Sequence, residues 1–94
     1  MDPVIEQNRA AILRIAAVHG AGNVRVFGSL ARGDARSDSD ADFLVDIVGP
    51  RTPWWPGGLV SDLEDLLGRR VDIATVTELD DLIRDDVLRE AVAL

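Results

Sequence analysis

Apolar positions along the chain alternate between two periods, and this alternation predicts helices and strands in turn. Residues 4–18 carry apolar side chains close to the helical period, after an Asp2-Pro3 pair suited to a helix start. Residues 24–27 are β-branched or aromatic enough to indicate a strand, preceded by a turn at 22–23. Residues 41–48 are dense enough in apolar residues to predict a strand central in its sheet.

The second half of the chain continues this alternation. Residues 49–58 contain three prolines and three glycines and predict a loop. Leucines at helical spacing then predict an amphipathic helix ending at Gly68, followed by a third strand over 71–76. Thr77 is predicted to cap a last helix, interrupted near 84–86. The expected fold class is α/β, in the order α-β-α-β-α-β-α, within a single domain spanning 1–94.

Composition narrows the chemistry that the chain can support. The 94 residues include no cysteine and one histidine, which excludes disulfides, thiolate nucleophiles and cysteine zinc sites. Any bound metal must therefore have oxygen ligands, which favours magnesium, manganese or calcium. A net charge of −7 argues against non-specific binding of nucleic acid. No run approaches the ~20 apolar residues of a membrane span and no signal peptide is evident, so we expect a cytoplasmic protein.

Asp40 and Asp42 are the first candidate site residues. Two residues apart on a strand, they project to the same face, where their charges repel. A shared hard cation is an economical reason to keep both. An isolated Asp-x-Asp is more often a solvated strand end. Asp46 shares the face but lies ~13 Å further along the strand, too far for the same metal.

Gly28-Ser29 is the second candidate, directly after the first strand. A glycine there lets a ligand approach the backbone, and N–H groups at a helix start attract phosphate. Taken alone, an ordinary turn with serine as the helix cap is the commoner explanation. Arg32 and Arg36, in the polar segment that follows, could neutralise a triphosphate or could form surface ion pairs with nearby aspartates.

Together these residues match a known signature. Gly28-Ser29, ten residues, then Asp40-x-Asp42 resembles the nucleotidyltransferase superfamily typified by DNA polymerase beta. The longer string GSLARGDARSDSDADFLVD is similar to the minimal nucleotidyltransferases (MNT proteins), antitoxin partners of HEPN-domain toxins. The resemblance continues through the GRRVDI stretch at 68–73 and the REAV stretch at 89–92. It implies a small mixed-sheet nucleotidyltransferase fold.

The resemblance also implies a chemistry. Asp72, an acidic residue flanked by apolar strand residues, matches the third carboxylate that completes the metal triad with Asp40 and Asp42. An aspartate at a strand edge is the alternative explanation, which the other motif makes the less favoured one. Two Mg²⁺ ions, or Mn²⁺ in their place, would be the cofactors, and ATP the substrate, with Gly28 and Ser29 holding the triphosphate. AMP would be transferred to a tyrosine hydroxyl of a HEPN-family RNase toxin, which would be the partner protein.

Three alternatives stay open on the sequence. The chain could be the enzyme just described, an antitoxin that only binds and occludes its toxin, or a nucleotidyltransferase for a small-molecule hydroxyl. The short chain leaves little room to hold an acceptor, which favours a protein partner. Trp54 and Trp55 are candidates for that contact, since aromatic residues are enriched at binding hot spots, although either could instead cover the edge of a small core. His19 is expected to end the first helix without a further role.

Overall fold

The chain folds around a four-stranded sheet in the order β3-β2-β1-β4. The computed structural model describes the whole chain, residues 1–94. The strands are β1 (Ala21–Phe27), β2 (Ala41–Ile47), β3 (Val71–Ala74) and β4 (Val92–Ala93). β1 runs antiparallel to both β2 and β4, whereas β3 runs parallel to β2. The predicted mixed sheet is therefore confirmed, and the run at 41–48 is central in it, as its apolar density predicted.

Five helices and one 3-10 turn connect the strands. They are α1 (Pro3–Gln7), α2 (Arg9–Val18), α3 (Ser29–Arg32), α4 (Gly57–Leu67), the 3-10 turn Val76–Glu78 and α5 (Asp81–Glu90). None of these helices combines the length and the apolar character that a membrane-spanning segment needs.

The two faces of β2 have different surroundings. Ala41, Phe43 and Val45 are fully buried in one cluster with residues of β1, α2 and α4. Burying a side chain such as Phe43 stabilises the fold by roughly 1.5–3 kcal/mol. Because strand side chains alternate, Asp42 and Asp46 project to the opposite face, where both remain partly exposed. The apolar cluster thus fixes which face of the sheet presents carboxylates.

The N-terminal half departs from the predicted elements in two places. The expected single helix is broken at Asn8, whose backbone N–H and side-chain amide both bond the carbonyl of Val4, ending α1 before α2 begins. The predicted turn at 22–23 is wrong, because β1 begins at Ala21 and accommodates these residues as an irregularity with Asn23 at φ 46°. Both differences arise from single asparagines that satisfy local backbone or carboxylate groups.

The C-terminal region differs more. Thr77 does not cap the last helix: Asp80 does, accepting from the Leu82 N–H at 2.8 Å. The expected interruption at 84–86 is wrong, since α5 is continuous there and Arg84 pairs with Asp81 one turn earlier at 2.7 Å. The last residues form β4, which the sequence did not predict.

Candidate active site

Strand pairing brings two of the three predicted carboxylates together. Asp42 and Asp72 are direct partners in the parallel register of β2 and β3, and neighbouring strands lie about 4.8 Å apart. Asp40 lies two residues before Asp42, just ahead of β2. Asp42 is partly buried, whereas Asp40 and Asp72 are exposed. All three lie at the same end of the sheet, where β2 and β3 begin.

At this end of the sheet, the surroundings of Asp42 disfavour the ionised form of its carboxylate. Burial is the largest cause that raises the pKa of Asp42 above its usual range, followed by the charges of Asp72, Asp40 and Glu90. Each of these effects penalises the ionised carboxylate. A cation or cationic group placed here would relieve that penalty.

The donor set fits a divalent metal in chemistry and in strand register. Carboxylate oxygens are the ligands that Mg²⁺ and Mn²⁺ prefer. As arranged, however, no three carboxylates or imidazoles form a group that could hold an ion. Asp40 instead faces the guanidinium of Arg70 at 3.7 Å. Holding an ion would therefore require Asp40 to turn from Arg70 toward the pair formed by Asp42 and Asp72.

Gly28 lies against the Asp42 carboxylate. Phe27, the last residue of β1, pairs with Asp42. Gly28 follows at φ 75° and ψ −153°, a conformation that is essentially restricted to glycine. A Cβ atom at this position would lie 2.7 Å from Asp42 Oδ2. The glycine that the sequence predicted to admit a ligand thus also leaves room for the carboxylate beside it.

The other predicted phosphate-binding residues lie along α3 and the loop after it. Ser29 is the first residue of α3. Arg32 pairs with Asp34 at 3.2 Å and with Glu90 at 3.0 Å. The hydrogen bond with Asp34 is the largest cause that raises the Arg32 pKa. Arg32 therefore forms surface ion pairs, which was the alternative to a role in binding triphosphate.

Arg36 differs from Arg32 in having no carboxylate within ion-pair distance. Its backbone N–H donates to Ser39 Oγ at 2.8 Å. Arg69, just ahead of β3, donates to the Ser39 carbonyl at 3.2 Å and ties the same loop to the third strand. The Arg36 guanidinium is thus free for an anion, while its loop is held in place.

Three residues near the site were assigned no role on the sequence, although the GRRVDI and REAV stretches contain them. Arg69 and Arg70 precede β3, and their double charge beside Asp72 was a usable local signal. Glu90 lies far along the chain, and nothing in its neighbourhood pointed to Gly28 or Arg32. Asp46, by contrast, is structural as expected: it accepts hydrogen bonds from Asn23 at 2.8 Å and Arg25 at 2.7 Å.

The two tryptophans separate clearly. Trp54 is 91% exposed and has a left-handed φ of 67°, whereas Trp55 packs against the main apolar cluster. Trp55 therefore covers the core edge, as the second explanation expected, while a partner contact of Trp54 stays a prediction. Both follow the end of β2 opposite to Asp42, so Trp54 does not belong to the carboxylate end.

His19 has a structural role that the sequence did not indicate. It is buried, and its ring nitrogens lie 2.6 Å from Thr52 Oγ1 and 2.7 Å from Asp62 Oδ2. These bonds fasten the proline-rich loop and α4 to the end of α2.

The molecule's cavity, about 240 Å³, lies elsewhere than the carboxylates. It is bounded by the end of β2 and the 3-10 turn, with a lining of Val45, Asp46, Ile47, Thr75, Val76 and Thr77. The carboxylate end has no enclosed pocket of its own. A substrate there would lie on an open surface of the sheet end.

A family model described as the nucleotidyltransferase domain matches residues 12–94 of the chain. The chain belongs to the nucleotidyltransferase domain family. A relative from Methanocaldococcus jannaschii, provisionally named a protein adenylyltransferase, is 33% identical over 94% of this chain and 95% of its own length. The protein adenylyltransferase MntA of Thermococcus cleftensis is 42% identical over 78% of this chain and 74% of its own.

Solved structures agree with this assignment. A provisionally assigned minimal nucleotidyltransferase is 48% identical, with a TM-score of 0.84 over 100% of this nucleotidyltransferase domain and 97% of that chain. A toxin–antitoxin structure with AMP-PNP has a TM-score of 0.72 at 19% identity, over 94% of this chain and 70% of that chain. The latter similarity shows the fold alone. The predicted family and fold are confirmed.

Proposed function

We propose that this nucleotidyltransferase domain transfers AMP from ATP to a hydroxyl group of a partner protein. One observation carries the proposal: Asp42 and Asp72 are paired across parallel strands, with Gly28 against the Asp42 carboxylate. The names of two relatives as protein adenylyltransferases support it. The proposal assigns Asp40, Asp42 and Asp72 to metal binding, and Gly28, Ser29, Arg32 and Arg36 to the triphosphate.

Each residue would have a distinct role. Asp42 and Asp72, with Asp40 turned toward them, would hold Mg²⁺ or Mn²⁺. When bound, a divalent cation there supplies charge neutralisation and a lowered pKa for an attacking hydroxyl. The Gly28 N–H and the Ser29 hydroxyl would donate to phosphate oxygens. Arg36, which lacks an ion-pair partner, would balance negative charge on the triphosphate. Attack of the hydroxyl oxygen on the α-phosphorus forms the new P–O bond and breaks the bond to pyrophosphate, which leaves, while the hydroxyl proton passes to water.

We infer that the acceptor is a protein rather than a small molecule. No enclosed pocket lies beside the carboxylates, and the cavity is at the other end of β2. A small acceptor would have few groups to hold it there, whereas a protein can present a hydroxyl over an open surface. A toxin–antitoxin assembly among the structures of this fold makes a toxin the leading partner. Following the resemblance of the motifs, we propose a HEPN-family RNase toxin and a tyrosine hydroxyl.

The experiment incubates the domain with the protein encoded by its neighbouring gene, whatever its fold, together with Mg²⁺ and labelled ATP. The expected result is label on the neighbour, which mass spectrometry locates to a tyrosine. Asp42→Asn should abolish the transfer. Asp46→Asn is the matched control, because Asp46 projects from the same face of the same strand without contacting the site, and it should retain transfer.

Two outcomes would contradict the proposal. If Asp42→Asn neutralises a toxic neighbour fully without any label, the chain acts by binding and occlusion, the second candidate for an antitoxin. If label appears only on an added small-molecule alcohol, the acceptor assignment is wrong while the chemistry stands.

A further inference from the structure

Glu90 makes the least expected contact in the molecule. It is the last residue of α5, and its Oε1 atom accepts from the Gly28 backbone N–H at 2.5 Å and from Arg32 Nη1 at 3.0 Å. One donor, Gly28, directly precedes α3 and the other, Arg32, is its last residue, so donors from both ends of α3 converge on one oxygen. Glu90 is thus bound by the residues that the proposed function assigns to phosphate.

A carboxylate oxygen and a phosphate oxygen compete for such donors. Both are anionic acceptors, and both form their strongest hydrogen bonds with guanidinium and backbone N–H groups. The Gly28 amide has a single hydrogen, so it cannot serve both acceptors with good geometry. A triphosphate that uses this N–H must therefore displace Glu90 from it.

The position of Glu90 has an electrostatic cost at the site. Its negative charge is one of the causes that raise the pKa of Asp42, so it adds to the crowding of carboxylates. The segment that follows it is anchored at the sheet edge: Val92 and Ala93 pair with β1, and the Leu94 N–H donates to the Val24 carbonyl at 2.9 Å. The edge strand therefore keeps an anion beside Asp42 despite the repulsion.

We propose that Glu90 is an intramolecular competitor of the nucleotide, which holds the Gly28 N–H and Arg32 until a triphosphate replaces it. The inference rests on the proposed function in assigning these two donors to phosphate. Its consequence is that the affinity for ATP is set partly by the C-terminal end of α5, a feature outside the glycine–serine and aspartate motifs.

The test measures binding without turnover. Titration calorimetry with a non-hydrolysable ATP analogue and Mg²⁺ gives Kd for the unmodified protein and for Glu90→Gln. The neutral amide leaves the donors more weakly held, because hydrogen bonds to charged groups exceed neutral ones by about 1–2 kcal/mol. The analogue should therefore bind about five- to thirty-fold more tightly to Glu90→Gln. Glu6→Gln is the matched control, since Glu6 in α1 also pairs with an arginine, Arg9 of α2, and the Kd of this variant should be unchanged.

A second variant and a spectroscopic measurement distinguish the loss of the Glu90 contact from a general folding defect. Glu90→Asp keeps the charge but shortens the side chain by one methylene, so it should lose the Gly28 contact and bind the analogue more tightly as well. In ¹H–¹⁵N spectra, the Gly28 amide resonance should move in each Glu90 variant and move again when the analogue is added.

The outcomes separate this inference from the proposed function. Equal or weaker binding by both Glu90 variants, with the analogue bound by the unmodified protein, overturns the inference alone. If none of the proteins binds the analogue, inorganic tripolyphosphate is titrated in its place. Failure of both ligands with every protein overturns the proposed function and the inference together.

Discussion

Replacing Gly28 with alanine tests whether this backbone position is built around the Asp42 carboxylate. At φ 75° and ψ −153°, an alanine costs about 1–3 kcal/mol of backbone strain. Its Cβ would also lie 2.7 Å from Asp42 Oδ2, so the carboxylate must leave its rotamer at a further cost of about 0.5–1.5 kcal/mol. The expected loss is about 2–4 kcal/mol, a fall in Tm on the order of 10–30 °C for a domain of this size.

Gly68→Ala is the matched control for this measurement. Gly68 also has a positive φ, 68°, but no atom lies within 4 Å of its added Cβ. Its substitution should cost only the left-handed penalty of about 1–2 kcal/mol. Chemical denaturation of both variants at neutral pH in EDTA gives the two free energies of unfolding directly. A loss at Gly28 equal to or smaller than that at Gly68 would refute the reasoning.

A double-mutant cycle separates strain from collision. In an Asp42→Ala background the carboxylate is gone, so Gly28→Ala should cost about 0.5–1.5 kcal/mol less than in the unmodified protein. Strict additivity of the two substitutions would show that the alanine at 28 never meets the Asp42 side chain. The collision part of the argument would then be wrong, even if the strain part survived.

Three further predictions concern charge and burial. Asp42→Asn should raise stability in EDTA by a few tenths of a kcal/mol in thermal melts, since it removes repulsion with Asp72 across the strands, while a loss of stability would contradict this. The Asn23 hydrogen bond is the main cause that lowers the pKa of Asp46, so this carboxylate stabilises the fold above pH ~4 and ceases to do so as pH falls through its folded value. Asp46→Asn should therefore cost under about 1 kcal/mol at pH 7, and the difference from the unmodified protein should vanish in acid unfolding curves, whereas a constant difference would refute the assignment. Thr52→Val leaves a buried nitrogen of His19 without its hydrogen-bond partner and should lower the free energy of unfolding by about 1–3 kcal/mol in urea titrations. An unchanged free energy of unfolding would show that this hydrogen bond does not stabilise the fold.

The sheet was largely predictable, because its strands have local signatures. The apolar runs at 24–27 and 41–48 specify strands with one buried face, and β2 is central as its composition implied. β4 was not predictable, because a strand of two residues has no periodicity. Its pairing with β1 depends on where α5 ends. The break at Asn8 is similar: an asparagine side chain that bonds a backbone carbonyl overrides an otherwise continuous helical pattern.

Some residues of the candidate site can likewise be found from local sequence, whereas others are brought to it only by the fold. Gly28, Asp40 and Asp42 lie within one short stretch, so their spacing alone indicated a shared chemistry. The register that sets Asp72 beside Asp42 is a property of two strands separated by a loop and a helix, and no local pattern fixes it. Glu90 is further removed still, since it reaches Gly28 only because α5 crosses back and β4 anchors its end. Motif spacing therefore identifies the groups that would bind a nucleotide, while the groups that would tune that binding come from elsewhere in the chain and require the fold.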